Sequence, residues 1–122
     1  MNLSELIEQV KEEKPNAFKE AKLISFINEI ESDVQEELDL PQVARVKYVS
    51  IEADGDKQLL VESPYDRLYK SYLKAMIDYS NEEYQSYENN QAQHIADYKE
   101  WINHLVRTGR ARSMPRRFKN IF

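Results

Sequence analysis

The sequence predicts a mainly α fold: a four-helix bundle-like domain over residues 1–108, one inserted β-hairpin at about 44–62, and an extended basic C-terminal arm over 109–122. Three observations predict it. Only two glycines occur in 122 residues, too few for the turns of an all-β chain. Apolar residues recur at steps of three and four through most of the chain. Seven of the eight tyrosines fall between Tyr65 and Tyr98, in stretches with that same helical rhythm.

The elements follow in order. Ser4 is placed to cap a first helix running to about Lys14, with Leu3, Leu6, Ile7 and Val10 as its apolar stripe. Pro15 then disfavours helical geometry in the residue before it. A second helix is expected from about Lys19 to Leu38. Leu23, Phe26, Ile27, Ile30, Val34 and Leu38 form its buried face, and Glu29, Glu31, Asp33, Glu36, Glu37 and Asp39 its solvated one. After Pro41 the period changes to two: residues 45–51 alternate, and so do 57–62. Asp54-Gly55 between them is a two-residue hairpin signal, and that register sets Glu52 opposite Lys57.

Ser63-Pro64 reads as the start of a third helix, with serine as the N-cap and proline at the first helical position. Tyr65, Tyr69, Tyr72, Met76 and Tyr79 step by four, three, four and three, the seam of a helix packed on another. The rhythm slips at Asn81. A fourth helix then carries Tyr84, Tyr87, Ile95, Tyr98, Ile102 and Leu105 and ends before Gly109. So short a break fits an antiparallel helical hairpin, with a single kinked helix as the competing geometry.

Charge is distributed unevenly. Residues 1–40 hold eleven acids against four bases, residues 41–106 eleven against seven, and residues 107–122 six bases and no acid. An acidic body with a basic arm is built to meet an acidic partner: nucleic acid, acidic lipid or acidic protein. Met114, Pro115, Phe118, Ile121 and Phe122 are interspersed among the bases, as in a segment that docks on a partly apolar groove.

Catalytic chemistry has no obvious home. There is no cysteine for a thiol nucleophile or thiolate site. His94 and His104 stand ten apart without a second ligand at metal-binding spacing. Glu52, Asp54 and Asp56 lack the glycine position and twelfth-position carboxylate of a calcium loop. Asp78 and Glu82 pair only by proximity, and no glycine-rich phosphate loop occurs. The expectation is therefore no enzyme, no cofactor, no metal and no catalytic residue. No run reaches the roughly 20 apolar residues of a membrane helix, and the acidic N-terminus lacks the order of a signal peptide.

Aromatic residues are enriched at protein interfaces, so Tyr65, Tyr69, Tyr72, Tyr79, Tyr84 and Tyr87 are read as core or subunit-interface residues. Stacking on single-stranded nucleic acid is disfavoured by Asp66, Asp78, Glu82, Glu83 and Glu88 between them, which repel phosphate.

The stretch Leu59-Leu60-Val61-Glu62-Ser63-Pro64-Tyr65-Asp66, with Tyr69, Tyr72, Ile77-Asp78-Tyr79, Glu83-Tyr84 and Tyr87, resembles the small helical head–tail connector (adaptor) proteins of tailed phages and prophages of Gram-positive bacteria. Lys14-Pro15-Asn16, Leu23-Ile24 and Ile27 through Glu31 resemble that family's N-terminal helical pair, so the likeness spans roughly residues 4–108. Two departures stand out: Glu82 follows Asn81 where the family often has Asn-Gly, and Phe26 replaces a common tryptophan. The basic arm matches nothing in the pattern.

The resemblance implies a structural ring of usually twelve copies beneath the portal protein. That ring contacts neighbouring copies and the next tail-completion or stopper protein, and passes double-stranded DNA without reading its sequence. It implies a place at the head–tail interface of the virion, after assembly in the bacterial cytoplasm, and no membrane partner. The arm would then reach the portal through Arg107, Arg110, Arg112, Arg116 and Arg117, with Phe118 and Phe122 as apolar anchors. The alternative is a small helical nucleic-acid-binding or regulatory protein that uses the same arm. Against it, the fourth helix carries only Lys99 and, at its end, Arg107, whereas a DNA reader places bases on a folded recognition element.

Overall fold

The computed structural model describes residues 1–109. These form five α-helices: α1 (Leu3–Glu13), α2 (Glu20–Glu37), α3 (Ile51–Asp54), α4 (Arg67–Ser80) and α5 (Tyr84–Arg107). A single 3-10 turn, Gln42–Ala44, follows α2.

Helix α1 begins earlier than the position of Ser4 implies. Asn2 caps it, accepting from the Glu5 N–H at 2.8 Å, while the Glu5 carboxylate reaches back to the Asn2 N–H. This reciprocal box satisfies two otherwise unpaired donors. The Leu3 and Ser4 N–H groups turn instead to the carbonyls of Lys57 and Gly55, and the Leu59 N–H donates to the Met1 carbonyl. Asn2 and Gln58 thus form an antiparallel bridge. Helix α2 ends with Asp39 in the left-handed region (φ 55°) and the Leu40 N–H closing on the Gln35 carbonyl.

The β-hairpin expected at 44–62 does not form; no strand exists among the described residues. Local capping wins over the Asp-Gly turn. The Ser50 hydroxyl caps α3 at the Ala53 N–H, and the Asp54 carboxylate accepts from the Val49 N–H at 2.6 Å. Gly55 continues the turn at φ −53°, not the positive φ that a tight hairpin requires. Glycine is needed there for another reason: a Cβ would sit 2.6 Å from the Ile51 carbonyl oxygen. Lys57 pairs with Asp54 at 2.8 Å and not with Glu52.

The alternation at 45–49 does correspond to extended backbone, but its partner is a helix. The Asn28 side chain donates to the Tyr48 carbonyl and accepts from the Tyr48 N–H, each at 2.9 Å. Gln35 does the same for Val46, donating at 3.3 Å and accepting at 2.6 Å. Residues seven apart lie on one helical face, and residues two apart face one side of an extended chain. Two carboxamides therefore serve as the missing strand.

Helices α4 and α5 form an antiparallel hairpin. Arg67 bonds Glu100, the Ser71 hydroxyl donates to Asp97 at 3.0 Å, His94 Nδ1 meets the Leu68 carbonyl at 3.0 Å, and Ser86 and Asn90 donate to Asp78. Helix α4 starts at Arg67, after a cis Ser63–Pro64 bond, so neither Ser63 nor Pro64 occupies the capping position the sequence implied. The Ser63 hydroxyl bonds Asp66 instead. In the connecting turn Glu82 adopts φ 60°, a left-handed geometry that costs a side-chain-bearing residue about 1–2 kcal/mol. Glu82→Gly should accordingly raise stability by about 0.5–1 kcal/mol in urea denaturation. An unchanged or lowered midpoint would refute this account of the turn.

One core joins these elements. It gathers Leu3, Leu6, Ile7 and Val10 of α1, Leu23, Ile27, Ile30 and Val34 of α2, Leu68, Leu73 and Ile77 of α4, and Tyr98, Trp101, Ile102 and Leu105 of α5. Burying each such side chain contributes roughly 1.5–3 kcal/mol.

Candidate interaction site

The structure divides the tyrosines into three groups. Tyr69 and Tyr98 are fully buried and Tyr48 nearly so. Tyr65 and Tyr72 are half-buried: Tyr65 stacks on His104 (centroids 4.4 Å apart), and Tyr72 sets its edge against His94 at 5.1 Å and donates to Glu29 at 2.8 Å. Tyr79 and Tyr84 are more than half exposed, at 57% and 55%, and Tyr87 stands between them half-buried.

The tyrosine seam meets α5 at three levels, through Tyr65 on His104, Tyr72 on His94 and Tyr79 on Tyr84 and Tyr87, and polar pairs share the interface with it. The polar groups of α4 that bond α5 include Ser71, which bonds Asp97, and Asp78, which bonds Ser86 and Asn90. Tyrosine meets tyrosine across the pair at its tip, where Tyr79 lies 6.1 Å from Tyr84 and 5.2 Å from Tyr87, centroid to centroid, while Tyr72 meets His94 midway. Tyr79 therefore sits outside the core that its heptad-like spacing implied. Glu82, Glu83 and Glu88 surround the three rings and are exposed. The tip is a solvent-facing surface of aromatic rings and carboxylates. Of the bases expected to bind a partner, Arg107 lies exposed in the last turn of α5; Arg110, Arg112, Arg116, Arg117, Phe118 and Phe122 lie outside the described residues.

Two fully buried carboxylates tie the elements of the fold together. Glu31, placed on the solvated face of α2 by its charge, is in fact fully buried. It accepts from the hydroxyls of Tyr48 and Tyr69 and from the Leu60 N–H at 3.2 Å, while the Tyr69 oxygen accepts from the Val61 N–H at 2.9 Å. One acid thus ties α2 and α4 to both loop segments. Burial raises the Glu31 carboxyl above its ordinary range, and the three donors only partly oppose it. Burial and the neighbouring Glu31 charge together push the Tyr48 and Tyr69 phenols upward. The sequence did carry a signal: Glu31 lies four residues after Ile27 and three before Val34, on the apolar stripe itself.

Asp78, also fully buried, sits where three elements meet. Its carboxylate receives the Ser86 hydroxyl and the Asn90 amide, each at 2.7 Å, and the Lys14 ammonium at 2.6 Å. Burial would raise this carboxyl, yet Lys14, Ser86 and Asn90 outweigh it and hold it below its ordinary value. Asp78 is therefore matched to these three groups, and Glu82 belongs to the turn. Among the described residues, no group of three or more histidines, cysteines or acids gathers as a metal would require, and no helix is long and apolar enough to cross a membrane. No family model, curated protein or solved structure matches this chain.

Proposed function

We propose that this chain is a non-enzymatic structural subunit, a head–tail connector of a tailed phage or prophage. Copies of it would form a ring beneath the portal protein, extend the DNA channel and join head to tail. The observation that carries an assembly role is the cluster of exposed Tyr79 and Tyr84 with half-buried Tyr87 at the helical tip. Exposed aromatic clusters of this kind are characteristic of protein contact surfaces. The side chains with chemical potential elsewhere are committed to structure: Glu31 and Asp78 are bonded within the fold, and His94 meets the Leu68 carbonyl. The resemblance of residues 59–87 to connector proteins supplies the specific role. The acidic body suits a channel through which phosphates must slide without adhering.

Light scattering of the purified chain with its cognate portal protein tests this reading. A complex of portal plus a ring of this protein is expected. Truncation after Thr108 should leave the helical fold intact and abolish docking. A persistent monomer that ignores the portal and binds duplex DNA with a steep salt dependence would overturn the proposal in favour of a nucleic-acid-binding role.

A further inference from the structure

Two segments of opposite and unmixed charge lie toward opposite ends of one helix. Residues 75–98 contain five acids (Asp78, Glu82, Glu83, Glu88 and Asp97) and no lysine or arginine. Asp78 and Asp97 are buried and bonded within the fold, while Glu82, Glu83 and Glu88 are exposed in the connecting turn and the start of α5, beside the tyrosines. Residues 107–122 contain six bases and no acid. They begin where α5 ends, at Thr108 and the left-handed Gly109 (φ 71°). We infer that the tip is a docking surface for this basic segment, contributed by a second copy of the chain.

The chemistry of the two surfaces is complementary at the level of side chains. Guanidinium groups stack on tyrosine faces and pair with carboxylates, which lysine does less well. Four of the five bases after Gly109 are arginine: Arg110, Arg112, Arg116 and Arg117. Phe118 and Phe122 supply apolar rings for a surface that offers tyrosine rings.

Reach decides between the chain's own tip and a neighbour's. From Tyr84 to Arg107, α5 spans about 35 Å at 1.5 Å per residue. The backbone from Gly109 to Arg117 reaches at most about 29 Å when fully extended, and Arg110 and Arg112 fall far short of that. Arg110 and Arg112 cannot reach the tip of their own molecule, so a contact that engages the whole arginine run needs a second copy. A tip on one copy and a tail on the next make a head-to-tail contact, the type that closes into a ring or propagates as a filament. This inference rests on the assembly reading above and gives the arm a neighbouring copy, in place of the portal, as its partner.

A fluorescent peptide of residues 107–122, titrated with the full-length chain, tests it. Saturable binding that weakens with salt is expected. Tyr79→Ser combined with Tyr84→Ser, and separately Glu82→Lys combined with Glu83→Lys, should each weaken binding by about tenfold or more. These positions are exposed, and circular dichroism confirms that each variant is folded. Weakening by either variant supports the tip as the docking surface. Absence of saturable binding, or binding unchanged in both variants, overturns it. A chain that still assembles on the portal while failing to bind the peptide would reject the tail-on-tip contact alone and leave the connector role standing.

Discussion

Replacing Glu31 by leucine should lower folding stability by roughly 3–5 kcal/mol, one of the two largest losses expected from a single substitution outside the purely apolar core. Leucine fits the volume but accepts no hydrogen bond. The Leu60 N–H and the Tyr48 hydroxyl would then be buried without partners, and the Tyr69 hydroxyl would keep only the Val61 N–H. Orphaned buried donors are costly, whereas removing both sides of such a network can be nearly neutral. The triple replacement Tyr48→Phe, Glu31→Leu, Tyr69→Phe should therefore recover part of the loss. Urea denaturation monitored by circular dichroism measures both. A single variant within about 1 kcal/mol of the parent would show that the three donors find water, and the network would lose its structural role.

The same residue gives the protein a definite pH response. Burial raises the folded-state value of Glu31 above its ordinary 4.5. Between those two values the folded state holds a proton that the unfolded state has released, so stability falls as pH rises through that window. Below 4.5 both states are protonated and the contribution is fully present. Glu31→Gln removes the titration, and its stability profile should be flatter than the parent's just above 4.5.

Helices α1, α2, α4 and α5 were legible because leucine and isoleucine recur with the helical period, and burial requires that recurrence. The break at Asn81 was legible as a slip in the tyrosine rhythm, and it is a reversal of chain direction. The hairpin was misread for a specific reason. Alternation at Val46 and Tyr48 reveals extended backbone but is silent about what pairs with it. The partners, Asn28 and Gln35, look like ordinary polar residues of a helix. Asp54-Gly55 was ambiguous between a hairpin turn and a short capped helix, and Ser50 decided it. Charge alone misplaced Glu31, although its spacing from Ile27 and Val34 marked it as inward-facing. The exposed tip was visible only in part: the sequence offered Tyr79, Tyr84 and Tyr87 as core or interface residues and could not separate them from Tyr69.

Asp78→Ala should cost roughly 2–4 kcal/mol near neutral pH, because one carboxylate fastens α1 to both arms of the helical hairpin. Its loss would release Lys14 to solvent and leave Ser86 and Asn90 without their shared acceptor. The pH dependence distinguishes this from simple loss of packing. Lys14, Ser86 and Asn90 hold the folded-state carboxyl below its ordinary 3.8. Its contribution is present above 3.8 and disappears as pH falls through the lower folded-state value. The gap between parent and variant should therefore narrow in acid, as read from urea midpoints at neutral pH and near pH 2–3. A gap of the same size at both would mean that packing, not charge, accounts for the loss. Because Asp78 directly precedes Tyr79 and accepts from Ser86 and Asn90 of α5, its removal should also loosen the tip. Asp78→Ala is then expected to weaken binding of the 107–122 peptide without altering any exposed residue of the surface that receives it.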